Sequence, residues 1–329
     1  MSINMFVRTY NKVSKNQLSK LLSSQQRKLS SQQSGKKFKE VEIKVPWGKL
    51  AGKHWGPTDA PPIIALHGWQ DNSCSFDPLA VNLPSDISLI AVDLPGHGFS
   101  SWIPKGLMYN TLLYVQTIHR IKEYFGMDKF GLIGHSLGGM VTFNYTSLFP
   151  DNVKFVVAFD YFKYPSMNAV KHLPLFAREW NQFFNYEKLT TPVPSYPEGE
   201  AIDRWIKASR NSLDEKLCKI LMERGVTKKP DGTLYFHRDP RVKLFLTDTG
   251  YTHDHLKLLA RQIHCPYMII KGENSKHNEP KEFYYDVLEE IKEQSDDFRF
   301  HTVPGTHHFH MSNASTVSEI MNPFVSKYA

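Results

Sequence analysis

The stretch Phe130-Gly131-Leu132-Ile133-Gly134-His135-Ser136-Leu137-Gly138-Gly139-Met140 decides the fold of this 329-residue chain. In it, an apolar run suited to a buried strand breaks into Gly-x-Ser-x-Gly and continues as an apolar helix. Gly134 and Gly138 have no β-carbon, so the strand can turn sharply into the helix with Ser136 at a strained apex. This arrangement, a nucleophile elbow, exposes the hydroxyl and predicts that Ser136 is a catalytic nucleophile.

The excess positive charge of the chain is concentrated at its N-terminus. The formal charge is +7, yet residues 1–39 contain nine Lys or Arg and no acid, which leaves 31 basic and 33 acidic residues in the rest. A basic groove for nucleic acid is therefore not expected. The arm, residues 1–36, is rich in Ser and Gln, and this composition is typical either of a mitochondrial transit peptide or of a basic tail without a targeting role. An intracellular location follows, mitochondrial in the first case and cytoplasmic in the second.

Membrane insertion, disulfides and metal binding have no signal in the sequence. No apolar run reaches the length of a membrane span, so no integral membrane segment is predicted. The three cysteines, Cys74, Cys218 and Cys265, are odd in number and widely spaced, which suits a reducing compartment and indicates no metal site.

Strands and helices alternate through residues 37–160 and 265–329. An antiparallel hairpin is predicted near residues 38–55, and alternation from Phe298 predicts an edge strand. The other predicted strands are mainly apolar, as is typical of parallel strands buried on both faces: Ile63–Leu66, Ile87–Asp93, Phe130–His135, Val153–Phe159 and Pro266–Gly272. The pattern predicts an α/β protein with a mostly parallel, doubly wound, eight-stranded sheet.

The alternation stops between residues 161 and 264, a segment called the insertion below. It contains helical patterns, a Pro-rich stretch and a possible small hairpin at Thr233–Phe236. We predict a helical cap domain over the catalytic end of the sheet. Its aromatic residues mostly serve its own packing, but we expect Phe162, Phe176 and Trp180 to form an apolar wall of the substrate pocket.

The loop His67-Gly68-Trp69 directly follows a central strand. A glycine at this point lets backbone amides face the elbow, so the N–H groups of Trp69 and Leu137 are the predicted oxyanion hole. His67 is expected to orient this loop. Asp93 and His97 are expected to fix the next loop, since they precede Ser136 and an elbow nucleophile is followed by its acid and then its histidine.

The general base is expected on the loop after the last strand. That loop reads Gly305-Thr306-His307-His308-Phe309-His310. We predict that His307 is the base, because His-x-x-His followed by an apolar residue is the usual form of this loop. His308 is the alternative, and His310 is the expected structural partner.

The acid of the catalytic triad is the least determined residue. Its usual place is the fourth position of Gly-x-x-Asp after the seventh strand, where this chain has Ser275. Asp160, at the end of the strand after the elbow helix, is the preferred candidate. Glu273 is the alternative acid, and Glu279 also lies nearby. All three satisfy the chain order, because a triad is defined by geometry and not by sequence position.

Together these motifs resemble the serine hydrolase-like, or kraken-like, branch of the α/β-hydrolase superfamily. The resemblance covers nearly everything from Val45 onward and rests on Val45-Pro46-Trp47-Gly48, Leu66-His67-Gly68-Trp69-Gln70-Asp71-Asn72, Gly96-His97-Gly98-Phe99-Ser100-Ser101, the elbow, Arg224-Gly225-Val226-Thr227, Arg238-Asp239 and the terminal Pro-Gly-x-His. It implies the α/β-hydrolase fold, a serine hydrolase with Ser136 as nucleophile, and no cofactor. It implies no particular substrate.

The expected function is that of a serine esterase. We expect Ser136 to cleave a carboxylic ester or thioester of a small, lipophilic acyl substrate through an acyl-enzyme, with no cofactor and no metal. One alternative is a non-catalytic binding protein that retains the fold. Another is a hydrolase of a different bond class, such as a C–C bond or a lactone.

Overall fold

The central sheet has eight strands, as the sequence predicts. They are β1 Phe38–Val45, β2 Gly48–Trp55, β3 Ile63–Leu66, β4 Leu89–Val92, β5 Phe130–His135, β6 Val153–Phe159, β9 Tyr267–Gly272 and β10 Phe298–Val303. Two short strands, β7 Val226–Lys228 and β8 Leu234–Phe236, lie outside this sheet. In the computed structural model, which describes residues 36–188, 193–247 and 250–329, the strand order of the central sheet is β1-β2-β4-β3-β5-β6-β9-β10. β2 pairs antiparallel with β1 and β4, and all other neighbours are parallel. Of the N-terminal arm, residues 1–35 lie outside the described residues, and with them the predicted transit peptide.

Helices bury both faces of this sheet. Successive residues of β3 show the division: Ile64 and Leu66 pack in one apolar cluster, and Ile63 and Ala65 pack in another on the opposite face. The helices that follow core strands are α1 Asp77–Ala80, α2 Thr111–Phe125, α3 Leu137–Leu148, α8 Lys281–Gln294, α9 Phe309–Ser312 and α10 Ala314–Tyr328. Because every residue of β3, β4 and β5 is buried, these strands read as continuous apolar runs.

The insertion between β6 and β9 is mainly helical. It contains α4 Ala169–Glu187, α5 Glu198–Ala208, α6 Glu215–Gly225, a 3₁₀ segment Pro240–Thr247 and α7 His253–Ala260. The small predicted hairpin is present as β7 Val226–Lys228 paired antiparallel with β8 Leu234–Phe236. Trp205, Leu217 and Leu221 pack with Cys74 and Met311 of the core, so α5 and α6 share a small apolar cluster with the sheet layer. Across the described residues, no helix combines the length and apolarity needed to cross a bilayer.

Candidate active site

The elbow brings Ser136 out of the sheet between β5 and α3. Its backbone has φ 52° and ψ −113°, a strained conformation for a residue with a side chain. A β-carbon at Gly134 would lie 2.5 Å from the backbone of Gly138, and one at Gly138 would lie 2.0 Å from the carbonyl oxygen of Leu66. The two glycines therefore permit the tight strand-to-helix crossing that holds the serine at the apex.

His307 lies on the loop after β10, and its side chain meets Asp160. Nδ1 of His307 hydrogen-bonds to Oδ2 of Asp160, which directly follows the carboxyl end of β6. Since a carboxylate only accepts, Nδ1 donates and Nε2 is the basic nitrogen of the neutral ring. Ser136 and His307 line the same cavity. Asp160 is thus the carboxylate that holds His307, and this imidazole borders the cavity that Ser136 also lines.

The two other histidines of this loop have different partners. His308 faces Ser212, with 2.5 Å between Nδ1 and Oγ, and its Nε2 lies 3.3 Å from Oδ2 of Asp71. His310 is fully buried, and its ring stacks on Phe159 with 5.6 Å between centroids. Neither ring reaches Asp160 by a hydrogen bond in the described structure.

The carboxylate of Asp160 has two further polar partners. Nζ of Lys271 lies 3.0 Å from Oδ1, and Oγ of Ser275 donates to Oδ2 at 2.6 Å. Burial by itself raises the pKa of this carboxyl group, but the hydrogen bond and charge of His307 and the charge of Lys271 outweigh it and lower the pKa below the usual value. The group is therefore ionised at neutral pH, as an acid that stabilises an imidazolium must be.

Sequence reasoning gave no role to Lys271 or Ser275 in this network. A signal for the lysine was present, because Lys271 ends the otherwise apolar run of β9 and a buried ammonium group needs an anionic partner. Ser275 occupies the usual position of the acid, and there it donates to the acid supplied by the neighbouring strand β6.

The alternative acids are placed away from His307. Glu279 pairs with Nζ of Lys163 and accepts the backbone N–H of Ser166 at 2.8 Å. The side chain of Glu273 is exposed, and only its backbone N–H takes part in the sheet edge, donating to the carbonyl oxygen of Val303 at 2.9 Å.

The loop after β3 is fixed against the elbow by buried hydrogen bonds. His67 accepts the N–H of Leu94 on Nε2 at 2.9 Å and donates from Nδ1 to the carbonyl oxygen of Gly68 at 2.8 Å, so it orients the loop as predicted. The N–H of Gly138 donates to the carbonyl oxygen of His67 at 3.1 Å. Trp69 and Leu137, the predicted oxyanion pair, both line the cavity at Ser136. Leu137 begins α3, where backbone N–H groups have no acceptor within the helix.

The next loop is held by Asp93 and His97, also as predicted. The carboxylate of Asp93 accepts the N–H groups of Ser73 and Phe99 at 2.8 and 2.9 Å. Nε2 of His97 accepts the N–H of Gln70 at 3.2 Å, and burial lowers the pKa of this imidazole to about 3. His97 is therefore neutral and serves as an acceptor that supports the loop of Trp69.

A cavity of about 960 Å³ opens above Ser136. It lies between the loops of the core and the insertion, which contributes aromatic side chains to its wall: Tyr161, Tyr164, Tyr186, Tyr196, Trp205 and Phe236.

Phe162, Phe176 and Trp180, predicted as the pocket wall, are not among the residues that line this cavity. Phe162 is fully buried and does not face the cavity, because its ring packs against Phe143 and Tyr284. Trp180 is 50% exposed on α4, and Phe176 is partly exposed on the same helix, near His172.

Two groups of side chains in the described structure have the spacing of metal ligands. Asp71, His135 and His308 form the first, and their ligand atoms lie within 4.8 Å of one another. The second consists of Cys74, Asp77 and Glu223, where Nζ of Lys53 already lies 2.7 Å from Asp77 and supplies the positive charge.

Comparison with known proteins agrees with the fold. A family model described as the alpha/beta hydrolase fold matches residues 61–314. A "probable serine hydrolase" of Drosophila melanogaster is 36% identical over 85% of this chain and 86% of its own length. Human "serine hydrolase-like protein 2" is 30% identical over 87% of this chain and 93% of its own length.

A solved structure supports the same conclusion. The crystal structure of a hypothetical protein from Pseudomonas aeruginosa matches with a TM-score of 0.75 and 25% identity, over 88% of this chain and 99% of the other. These relatives support a hydrolase function. The chain belongs to the α/β-hydrolase superfamily, within its serine hydrolase-like group.

Proposed function

We propose that this protein is a serine hydrolase that cleaves a carboxylic ester or thioester through an acyl-enzyme on Ser136. The observation that carries the proposal is the hydrogen bond from Nδ1 of His307 to Asp160, in a cavity that Ser136 also lines. A buried, ionised carboxylate that fixes the tautomer of a cavity histidine is the support that a nucleophilic serine requires.

In the proposed mechanism, Oγ of Ser136 attacks the substrate carbonyl carbon while Nε2 of His307 takes the hydroxyl proton. The N–H groups of Trp69 and Leu137 stabilise the oxyanion of the tetrahedral intermediate. The imidazolium then gives its proton to the leaving alcohol or thiol, and an acyl group remains on Ser136. Water attacks this acyl-enzyme, His307 takes the proton of the water, and the acid product leaves as the serine regains its proton.

The shape of the cavity supports an acyl substrate with an apolar part. Apolar side chains contribute much of its wall, among them Leu137, Met140, Val193, Trp205 and Phe236. Contacts of this kind bind a hydrocarbon chain without fixing its length tightly. We therefore propose a lipophilic acyl group, and the experiment begins with a short neutral ester.

The test is the change Ser136→Ala in purified protein. We expect hydrolysis of 4-nitrophenyl butyrate to fall by at least roughly 10⁴-fold, because the attacking oxygen is removed. A fluorophosphonate probe should label the wild type and fail to label the variant. Ser209→Ala, which removes another serine of the same cavity, is the matched control and should keep both signals. Undiminished turnover in Ser136→Ala would exclude the proposed nucleophile.

A further inference from the structure

The charges that line the catalytic cavity are strongly unbalanced. In the described part of the chain, one lining residue is acidic, Asp71, and its carboxylate faces His308 and His135. Six lining residues are cationic: Arg204, Lys207, Arg210, Arg238, Lys243 and Lys276. A concave site lined by one sign of charge attracts ligands of the opposite sign.

Arg204 and Arg238 show two different uses of arginine in this cavity. Arg204 is neutralised within its own helix, since its Nη2 lies 2.8 Å from Oε1 of Glu200. Arg238 packs its guanidinium over the ring of Phe236, 4.4 Å from the centroid, and makes no hydrogen bond or ion pair with any described residue. Its side chain is thus held in place but its charge is not balanced.

The surroundings of Arg238 make its positive charge energetically unfavourable when no anion is bound. Burial lowers the pKa of Arg238 to about 10, although the charge of Asp71 opposes the shift. Lys243 also lines the cavity, and the pKa of its ammonium group is lowered by burial and by the charge of Arg238. Two neighbouring cations without a described acidic partner repel each other, and a bound anion would remove that repulsion.

The segment that carries Arg238 is fixed to the loops after β3 and β4. The following residue, Asp239, donates its N–H to the carbonyl oxygen of Gly96 at 2.9 Å. The carbonyl oxygen of Val242 accepts the indole N–H of Trp69 at 2.7 Å. Arg238 therefore lies on a rigid wall that is continuous with the predicted oxyanion loop, where a group of a bound substrate could reach it.

We propose that Arg238, assisted by Lys243, binds an anionic group of the substrate, a carboxylate or a phosphate, while the scissile carbonyl lies at Ser136. The planar guanidinium matches both groups, since it can donate two parallel hydrogen bonds to two of their oxygens. This inference rests on the proposed function and makes it narrower: the substrate is an ester or thioester that has an apolar part and a negative charge.

The experiment compares charged and neutral substrates of the same length. For a carboxylate on the acyl side, mono-4-nitrophenyl glutarate is compared with 4-nitrophenyl pentanoate. For phosphate on the leaving side, pentanoyl-4'-phosphopantetheine is compared with pentanoyl-pantetheine, which lacks only the phosphate. We expect the wild type to prefer the charged member of one pair by about 10- to 100-fold in kcat/KM, the effect of one charge-assisted contact. The pair that shows the preference identifies the source of the anion.

The variant Arg238→Met tests the residue. The variant should lose the preference for the charged substrate, because only the contact to the anionic group is removed. Its kcat/KM for the neutral ester should stay within about threefold of the wild-type value. Arg204→Met, from the same cavity wall, is the matched control and should retain the preference. A wild type without preference in either pair, a preference that persists in Arg238→Met, or an equal loss in both variants would overturn the assignment.

Binding separates this inference from the proposed hydrolysis. If neither pair is hydrolysed, the proposed function fails, and calorimetry with Ser136→Ala still measures recognition of the charge. Tighter binding of the charged member of either pair than of its neutral partner, lost in Ser136→Ala/Arg238→Met, would support the anion site. Equal binding of the charged and neutral members in both pairs would refute it.

Discussion

At the scale of single residues, Asp160 has the most unusual position. The residue at the usual place of the acid is Ser275, and the carboxylate that meets His307 comes from the neighbouring strand β6. Its backbone has φ 68°, in the left-handed region that residues with a side chain rarely adopt. We interpret Ser275 and Lys271 as positioning residues that hold the carboxylate ionised and oriented.

Asp160→Asn should lower kcat by roughly 10³- to 10⁴-fold, because an amide no longer fixes the tautomer of His307 or balances its cation. The measurement is steady-state hydrolysis of 4-nitrophenyl butyrate. The change also leaves Lys271 without its carboxylate, so circular dichroism and thermal unfolding must show that the variant is folded.

Two further variants control this prediction. Glu273→Gln removes the alternative acid, whose side chain is exposed, and should leave kcat unchanged. Asp160→Asn/Ser275→Asp places a carboxylate at the usual position of the acid, next to the original one, and should recover at least about tenfold of the lost rate. If Glu273→Gln lowered kcat as much as Asp160→Asn does, the assignment of Asp160 as the acid would be wrong.

At the scale of elements, the loop after β3 and the elbow form one unit. The ring of His67 accepts a hydrogen bond from the N–H of Leu94, which fixes the loop to the end of β4. The backbone carbonyl oxygen of His67 accepts the N–H of Gly138 in the elbow helix. Gly68 lies between these contacts and packs closely on two side chains behind the loop. The predicted oxyanion N–H of Trp69 depends on this packing, because it belongs to the next residue.

Gly68→Ala should lower kcat by at least about 10²-fold. The added β-carbon would lie 2.7 Å from Nδ1 of His135 and 2.8 Å from Oδ2 of Asp71, so the loop must move and displace the N–H of Trp69. The measurement is kcat for the neutral ester together with the rate of fluorophosphonate labelling.

Gly199→Ala is the control for this change. Gly199 lies in α5 with no atom near the added β-carbon, so alanine should leave kcat unchanged and raise the free energy of unfolding by about 0.5–1 kcal/mol. A Gly68→Ala variant with wild-type kcat would show that the loop does not supply an oxyanion contact.

At the scale of the whole molecule, Arg224 joins the insertion to the core. It lies in the last turn of α6 and is 1% exposed. Its guanidinium pairs with Asp93 after β4 at 2.8 Å and with Glu40 of β1 at 2.7 Å. Asp93 is fully buried and also holds two backbone N–H groups of its loop. One guanidinium therefore links three parts of the chain that are far apart in sequence.

Arg224→Met should lower the free energy of unfolding by about 3–5 kcal/mol, because it leaves the buried carboxylate of Asp93 without its counter-charge. Urea unfolding at pH 7 measures the change. Lys292→Met, which breaks the surface ion pair with Glu289, is the control and should lower the free energy of unfolding by less than about 1 kcal/mol. A loss of similar size in both variants would contradict a special role for the buried pair.

The same pair makes stability depend on pH. Burial raises the pKa of Asp93, but the charge and hydrogen bonds of Arg224 outweigh it and lower the pKa below the usual value. As the pH falls, Asp93 is therefore protonated first in the unfolded chain, near its pKa of about 3.9. The stability that this ion pair contributes is complete above that pH and decreases as the pH falls below it. In Arg224→Met, unfolding measured between pH 5 and 3 should depend less on pH than in the wild type.

Much of the fold could be predicted from the sequence because it depends on neighbouring residues. Strand β6 was predicted with its observed bounds, Val153–Phe159, since all of its residues except Lys154 are apolar and buried, as is typical of a strand covered on both faces. The elbow and the small hairpin of the insertion were also predictable, because turns of this kind depend on glycine and on a few adjacent residues.

The tertiary structure alone decided which side chains meet. The sequence left Asp160, Glu273 and Glu279 as possible acids, and only the packing of β6 beside β9 brings Asp160 to His307. The wall of the cavity was predicted from local aromatic content, yet its lining and its unbalanced charge come from side chains between Trp69 and His308. Local patterns reflect backbone preference and burial, whereas a site depends on distances between residues remote in sequence, and those are set by packing.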